Sequence, residues 1–173
     1  MLSNAELIQN INVYQDQYNT AKNLRELLLP SKAALLDVCG WLEEAMDQVV
    51  IECANRCMLS TQRLQLIQKE YVGKTYGFEY QRHFEKMLAA VVGFRILEQA
   101  ERQMGLGTLM PFTSALSSLV PLRNHYAHTH LDAAKPYPKN VSSIPAPSAL
   151  VPYVSQANTA LQSIESALRG LNC

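Results

Sequence analysis

Residues 35–49 have the sequence LLDVCGWLEEAMDQV. Apolar side chains recur in it every three or four positions, at Leu35, Val38, Leu42, Ala45 and Val49. Acidic side chains, among them Glu43 and Asp47, fall on the opposite side. This 3.6-residue period predicts an amphipathic helix with one buried face. A strand would alternate with a period of two, which no segment shows, so the sequence predicts an all-α fold.

The same period outlines about five helices along the chain. Ser3 and Glu6 form a capping-box signal, and Pro30 is expected to close the first helix. Gly105 and Gly107 are expected to end the third helix. The predicted helices cover about residues 3–30, 31–59, 84–105, 108 to beyond 121, and 148–171. A proline-rich connector, residues 132–148, precedes the last helix, and we expect the chain to form a single domain, residues 1–173.

Pro121 interrupts the fourth predicted helix. Proline lacks an amide proton and disfavours helical geometry in the preceding residue, so a kink or a restart is expected there. After a restart, Arg123 and Asn124 would lie in a first helical turn. Unpaired N–H groups and the positive end of the helix dipole would then favour a phosphate.

The composition places the chain among soluble proteins of ordinary domain size. Its 173 residues are 48% hydrophobic and carry a formal net charge of +0. Residues 1–55 hold 8 acidic and 3 basic side chains, whereas residues 56–173 hold 7 acidic and 12 basic ones. Any RNA is therefore expected to bind the second part. The four cysteines form no Cys-x2-Cys pair, and no leader or membrane span is apparent, which favours reduced thiols in the cytoplasm.

The segment RNHYAH, residues 123–128, carries the candidate chemistry. The imidazole of a histidine changes charge near neutral pH, so His128 can accept a proton from a ribose 2′-hydroxyl or return one to a leaving oxygen. The guanidinium of Arg123 stays charged and suits phosphate oxygens. The amide of Asn124 can orient either partner. These three residues are the predicted catalytic set.

At this motif the chain resembles the HEPN superfamily, whose members carry an Arg, an adjacent polar residue, and a His four to six residues beyond the Arg. Arg123, Asn124 and His128 match that template with four intervening residues. The long helices, including residues 35–43, look like the earlier part of bacterial HEPN proteins. The resemblance implies an up-and-down helical bundle with the motif on its fourth helix.

The resemblance further implies metal-independent endoribonuclease cleavage without a cofactor, leaving a 2′,3′-cyclic phosphate. HEPN proteins typically form homodimers in which two motifs share a cleft, and the implied role is a toxin or an anti-phage defence effector, with an antitoxin or defence protein as partner. Some HEPN toxins carry a tyrosine two residues after the motif histidine, which the antitoxin modifies. Here that residue is His130, which argues against control by that route. Related proteins often place an acidic residue in the second helix where Glu43 stands. Glu43 could steady the site or be an exposed helix acid.

Three neighbouring side chains are candidates for substrate binding. His125 and His130 could add positive charge or hydrogen bonds for RNA, or be simply exposed. Tyr126 could stack on a base, although a lone tyrosine in an amphipathic helix is more often part of the core. The pattern His-x2-His-x-His also allows a metal cluster, which the shortage of nearby acidic or cysteine ligands disfavours. No metal is expected.

A non-catalytic interpretation stands beside the enzyme. The same helices could form a HEPN-like module that binds nucleotide, RNA or a protein partner without cleaving it. The sequence alone leaves both open.

Overall fold

The computed structural model describes residues 3–57, 60–128 and 144–171. Within these ranges the chain is all helical, as predicted, with seven α-helices and no strand. They are α1 (Ala5–Asn19), α2 (Leu24–Arg56), α3 (Thr61–Leu66), α4 (Glu85–Val92), α5 (Phe94–Met104), α6 (Leu106–Ala127) and α7 (Val151–Gly170). A π-helical segment, Ile67–Val72, continues α3, and another, Tyr80–Phe84, leads into α4; a 3₁₀ turn, Pro147–Leu150, precedes α7.

The long helix α2 is the centre of the fold. Its 33 residues span about 50 Å at 1.5 Å per residue. The face predicted from the apolar period is buried, including Leu35, Val38, Leu42, Ala45 and Val49. Helices α1, α4, α6 and α7 all contact α2. Residues on α2 are therefore within reach of most other helices.

The expected boundary at Pro30 is wrong, because Pro30 lies inside α2. The chain breaks earlier, where Asn23 caps α2 by accepting a hydrogen bond from the Glu26 backbone N–H (3.0 Å). The carboxylate of Glu26 in turn accepts one from the Lys22 backbone N–H (2.8 Å). The two bonds resemble a capping box, except that the carboxylate of Glu26 binds the N–H of Lys22, one residue before the cap. They fix the start of α2, whereas Pro30 removes only one helical N–H and is itself buried.

The helix count also exceeds the predicted five. The third predicted helix is split into α4 and α5 at Gly93, and α3 was not predicted. Gly93 has φ +78° and ψ 155°, a conformation that is essentially restricted to glycine. Gly105 repeats this geometry between α5 and α6. The up-and-down bundle of five helices implied by the resemblance stays an expectation.

Gly93→Ala is expected to lower the free energy of unfolding by about 1–3 kcal/mol, because alanine strains the backbone at this φ and ψ. No atom lies within 4 Å of a Cβ added at Gly93, so no steric clash adds to the cost of this backbone strain. Gly40→Ala is the matched control: it has equal space inside α2 and should stabilise by about 0.5–1 kcal/mol. Denaturant unfolding measures both. Equal effects of the two substitutions would contradict the assignment of Gly93 as the break between α4 and α5.

The cysteines correct one expectation. Cys39 and Cys53 are buried free thiols. Cys57 is disulfide-bonded, so the expectation of reduced thiols throughout is wrong at this position. The cysteines therefore give less support to a reducing compartment than the sequence suggested.

Candidate functional site

Helix α6 carries the motif and runs without a restart through Pro111 and Pro121. Pro121 removes the helical partner of the Ser117 carbonyl, and both residues are exposed. Arg123 and Asn124 thus lie near the C-terminal end of α6. The predicted phosphate site required a helix that restarts at Pro121, with Arg123 and Asn124 in its first turn, and this requirement is not met. These residues lie instead near the negative end of the helix dipole.

Arg123 is held by Glu43 of α2. Its Nη2 donates to Oε1 of Glu43 over 3.3 Å, and its Nη1 donates to Oδ1 of Asn124 over 3.4 Å. The side chains of Arg123 and Glu43 are 32% and 29% exposed, so solvent screens the pair and it adds little to stability. Its main effect is positional. Glu43 was expected either to steady the site or to be an exposed helix acid, and this contact with Arg123 favours the first role.

A pocket of about 150 Å³ opens beside this ion pair. That volume accommodates a phosphate group, since one water occupies about 30 Å³ in the liquid. The pocket is lined by Tyr76, Gly77, Phe78, Glu79, Arg82, His83, Val120, Arg123 and Asn124. Two arginines, one amide and one imidazole therefore converge on the same small space.

His83 is one of the pocket residues that the sequence reasoning missed, together with Arg82 and Glu79. Its ring packs on Gly77, where an added Cβ would lie 2.8 Å from Cε1 of His83. Gly77 also has φ +130°, so glycine is required there for conformation and for space. Burial lowers the pKa of His83, as do Arg82 and Lys86, while Glu79 and Glu43 oppose that shift. Forty residues separate His83 from Arg123, so no local spacing could reveal their proximity.

The predicted residues do not all meet at this pocket. Arg123 and Asn124 line it, but His128 does not. His128 is exposed at the C-terminal cap of α6, at the end of the same helix. The structure thus brings two members of the predicted catalytic set together and leaves the third outside the pocket of its own chain.

The substrate-binding candidates separate in the same way. Tyr126 is only 1% exposed, so its ring belongs to the core and is not available to stack on a base. This corrects its assignment as a binding residue. His125 is exposed and meets the Tyr126 ring edge-on, with ring centroids 4.8 Å apart. His130 lies outside the described residues. No group of three metal-ligating side chains occurs in the part of the chain that the structure describes.

Asp47 lies one helical turn from Glu43 on α2. Burial raises its pKa to about 6, and the neighbouring charges of Glu43 and Glu44 add to the shift. Cys39 lies close to the Arg123–Glu43 pair, and burial likewise raises the pKa of its thiol to about 12. Cys39 is therefore a neutral thiol at neutral pH and not a nucleophile.

Asp47→Asn is expected to stabilise the protein at pH 7 and to have no effect below about pH 3.8. The pKa of Asp47 in the folded state lies above its unfolded-state value of 3.8. The protonated carboxyl therefore contributes stability that is fully present below pH 3.8 and is lost as the pH rises through about 6. After a discount for solvent screening, the gain at pH 7 is on the order of 1 kcal/mol. Asp16→Asn, on the exposed side of α1, is the control. Unfolding at pH 3.5 and pH 7 measures the difference; a gain that grows toward low pH would contradict the burial of Asp47.

Among the described helices, none is by itself long and apolar enough to cross a membrane. Only α5 and α6 taken together pass that test, and they meet at an angle of 105°.

Comparison with known proteins adds no relative: no protein-family model, curated protein or solved structure matches the chain.

Proposed function

We propose that this chain is a metal-independent endoribonuclease of HEPN type. The single observation that carries the proposal is the Arg123–Glu43 ion pair, which holds a guanidinium at the edge of a phosphate-sized pocket beside Asn124. A permanently charged, pre-positioned guanidinium is suited to the negative charge that builds up on phosphate oxygens during phosphoryl transfer. Because Glu43 fixes this guanidinium before substrate binds, little reorganisation is needed during the reaction.

The proposed reaction is an internal transesterification of RNA. The imidazole of His128 accepts the proton of the 2′-hydroxyl, and the 2′-oxygen bonds to the adjacent phosphorus. The bond from phosphorus to the 5′-oxygen breaks, and that oxygen takes a proton from a protonated imidazole. The products are a 2′,3′-cyclic phosphate and a 5′-hydroxyl. Arg123 stabilises the pentavalent phosphorus, and no metal ion takes part.

A homodimer is part of the proposal. His128 is exposed and does not line the pocket of its own chain. A second copy related by a two-fold axis would bring its own His128 to the phosphate in this pocket, where that imidazole accepts the 2′ proton and, once protonated, supplies the proton for the leaving oxygen. Each pocket would then be completed by the neighbouring chain.

The biological role that we propose is RNA cleavage in the cytoplasm by a toxin or anti-phage effector, with an antitoxin or defence protein as partner. The resemblance of the motif to the HEPN template supports this role.

The position of His128 favours a second candidate function, a module that binds RNA or nucleotide without cleaving it. Arg82, Arg123 and Asn124 can contact a phosphate, whereas His128, the proposed general base, does not line their pocket.

The test is incubation of the purified full chain with a mixed RNA pool in EDTA, beside DNA of matched sequence. The nuclease should cut RNA and leave DNA intact, because DNA lacks the attacking hydroxyl. RNA that is retained by the protein but not cut would support the binding module instead.

A further inference from the structure

His83 lies in the pocket in a fixed orientation. Its side chain is 17% exposed. Its Nδ1 accepts a hydrogen bond from the Glu79 backbone N–H over 3.3 Å, and Gly77 leaves just enough room for the ring. These contacts fix the ring plane without the help of a ligand.

The bond from the Glu79 backbone assigns the tautomer of His83. A ring nitrogen that accepts a hydrogen bond carries no proton, so in the neutral ring the proton sits on Nε2. The Glu79 carboxylate lies 3.5 Å from the same Nδ1, but a carboxylate is only an acceptor and could bond this nitrogen only in the protonated ring. The lone pair of the neutral imidazole is therefore occupied, and the ring can donate from Nε2 but cannot act as a base.

The charges around His83 agree with a neutral ring. The ring faces Glu79 and Arg82 beside it in the sequence, Lys86 at the start of α4 and Glu43 of α2, and Arg123 of α6 lines the same pocket. Burial is the largest influence on its pKa and disfavours the charged form.

The charged side chains that line the pocket determine which phosphate charge it favours. Arg123 is paired with Glu43, and Arg82 lies 3.6 Å from the carboxylate of Glu79. Each guanidinium has five N–H donors and keeps some of them for a ligand. With a carboxylate in the lining, a phosphodiester with one negative charge suits this pocket better than a doubly charged phosphate ion.

We propose that His83 is a neutral hydrogen-bond donor, through Nε2, to a phosphodiester held between Arg82 and Arg123. This inference rests on the phosphate-binding part of the proposed function but not on cleavage. His83 is thus a binding residue of the pocket and not the general base, a task that stays with His128.

Two substitutions separate the two nitrogens of His83. In His83→Asn, the amide oxygen replaces Nδ1 and the Nε2 donor is lost. In His83→Gln, an amide donor is kept near the position of Nε2. The probe is a DNA dinucleotide, whose phosphodiester cannot be cleaved by a 2′-oxygen. His83→Asn should weaken its binding by about tenfold or more, and His83→Gln by less than about threefold. Arg102→Gln, an exposed arginine of α5, controls for general loss of positive charge.

Nitrogen-15 NMR of histidine-labelled wild type gives a readout that does not depend on any variant folding. The spectrum should show His83 as the Nε2–H tautomer at pH 7, and its Nε2 resonance should shift when the dinucleotide is added. An unshifted His83 resonance, the opposite tautomer, or full binding by folded His83→Asn would overturn the proposal. Dinucleotide binding without RNA cleavage would refute only the nuclease, whereas cleavage that is indifferent to both His83 variants would refute only the role of His83.

Discussion

Replacing His128 with alanine is expected to lower the rate of RNA cleavage in EDTA by about 10²–10⁴-fold, the usual contribution of a positioned acid or base. The reason is that the imidazole that lines the pocket, His83, cannot accept the 2′ proton, because its Nδ1 is already bonded to the Glu79 backbone. Binding of uncleavable nucleic acid should change little, because His128 lies outside the pocket lining.

The His128→Ala variant should fold normally, since the side chain is exposed at the end of α6. Ser118→Ala, an exposed position on the same helix, is the control and should keep wild-type activity and melting temperature. Cleavage is followed by gel electrophoresis of an RNA pool under single-turnover conditions. Wild-type rates for His128→Ala would remove this residue from the mechanism.

Arg123→Ala is expected to reduce cleavage by about 10²–10³-fold, the loss typical when one group that stabilises transition-state charge is removed. Binding of the DNA dinucleotide should weaken as well, because Arg123 lines the phosphate pocket. Arg123→Lys should recover only part of the activity, since a lysine offers a point charge and cannot contact Glu43 and a phosphate with one planar fork.

Loss of stability would not account for this effect. The Arg123–Glu43 pair is about one-third exposed, so its removal should cost less than about 1 kcal/mol. Arg102→Gln, which removes an exposed arginine from α5, should leave cleavage unchanged. If Arg123→Ala cuts RNA at the wild-type rate while folded, the guanidinium has no part in the reaction.

The helical class and the buried faces could be predicted from the sequence because they depend on local periodicity. The face of α2 that contains Leu35 and Leu42 is buried as the period predicts, and so is the face of α7 that contains Leu161 and Ile164. These positions recur every three or four residues, so they lie on one face of a helix, and that face is the one that packs against the core.

The helix boundaries were harder to predict where two local signals competed. The side chain of Asn23 caps α2 seven residues before Pro30, and this cap sets the start of the helix. Pro121 was expected to kink or restart its helix; it does not restart it, because α6 continues through Pro121, which lies with Ser117 on the exposed side of the helix. In both places the cost of one missing helical hydrogen bond is smaller than the gain from continued packing.

The candidate site was only partly predictable, because it depends on residues that are distant in sequence. Arg123 and Asn124 are adjacent and could be identified together. Glu43 reaches Arg123 through the packing of α2 on α6, and His83 lies in the pocket because α2 also packs on α4, which follows the His83 segment. Tyr126 stands in the middle of the motif but is buried, since the helical period turns it toward the core.

The most direct test of the nuclease is the chemistry of the RNA ends that wild-type protein leaves in EDTA. Mass spectrometry of the fragments should find 2′,3′-cyclic phosphates and 5′-hydroxyls, because the attacking oxygen comes from the substrate. Fragments with 3′-hydroxyl and 5′-phosphate ends, or no fragments at all under these conditions, would contradict the account.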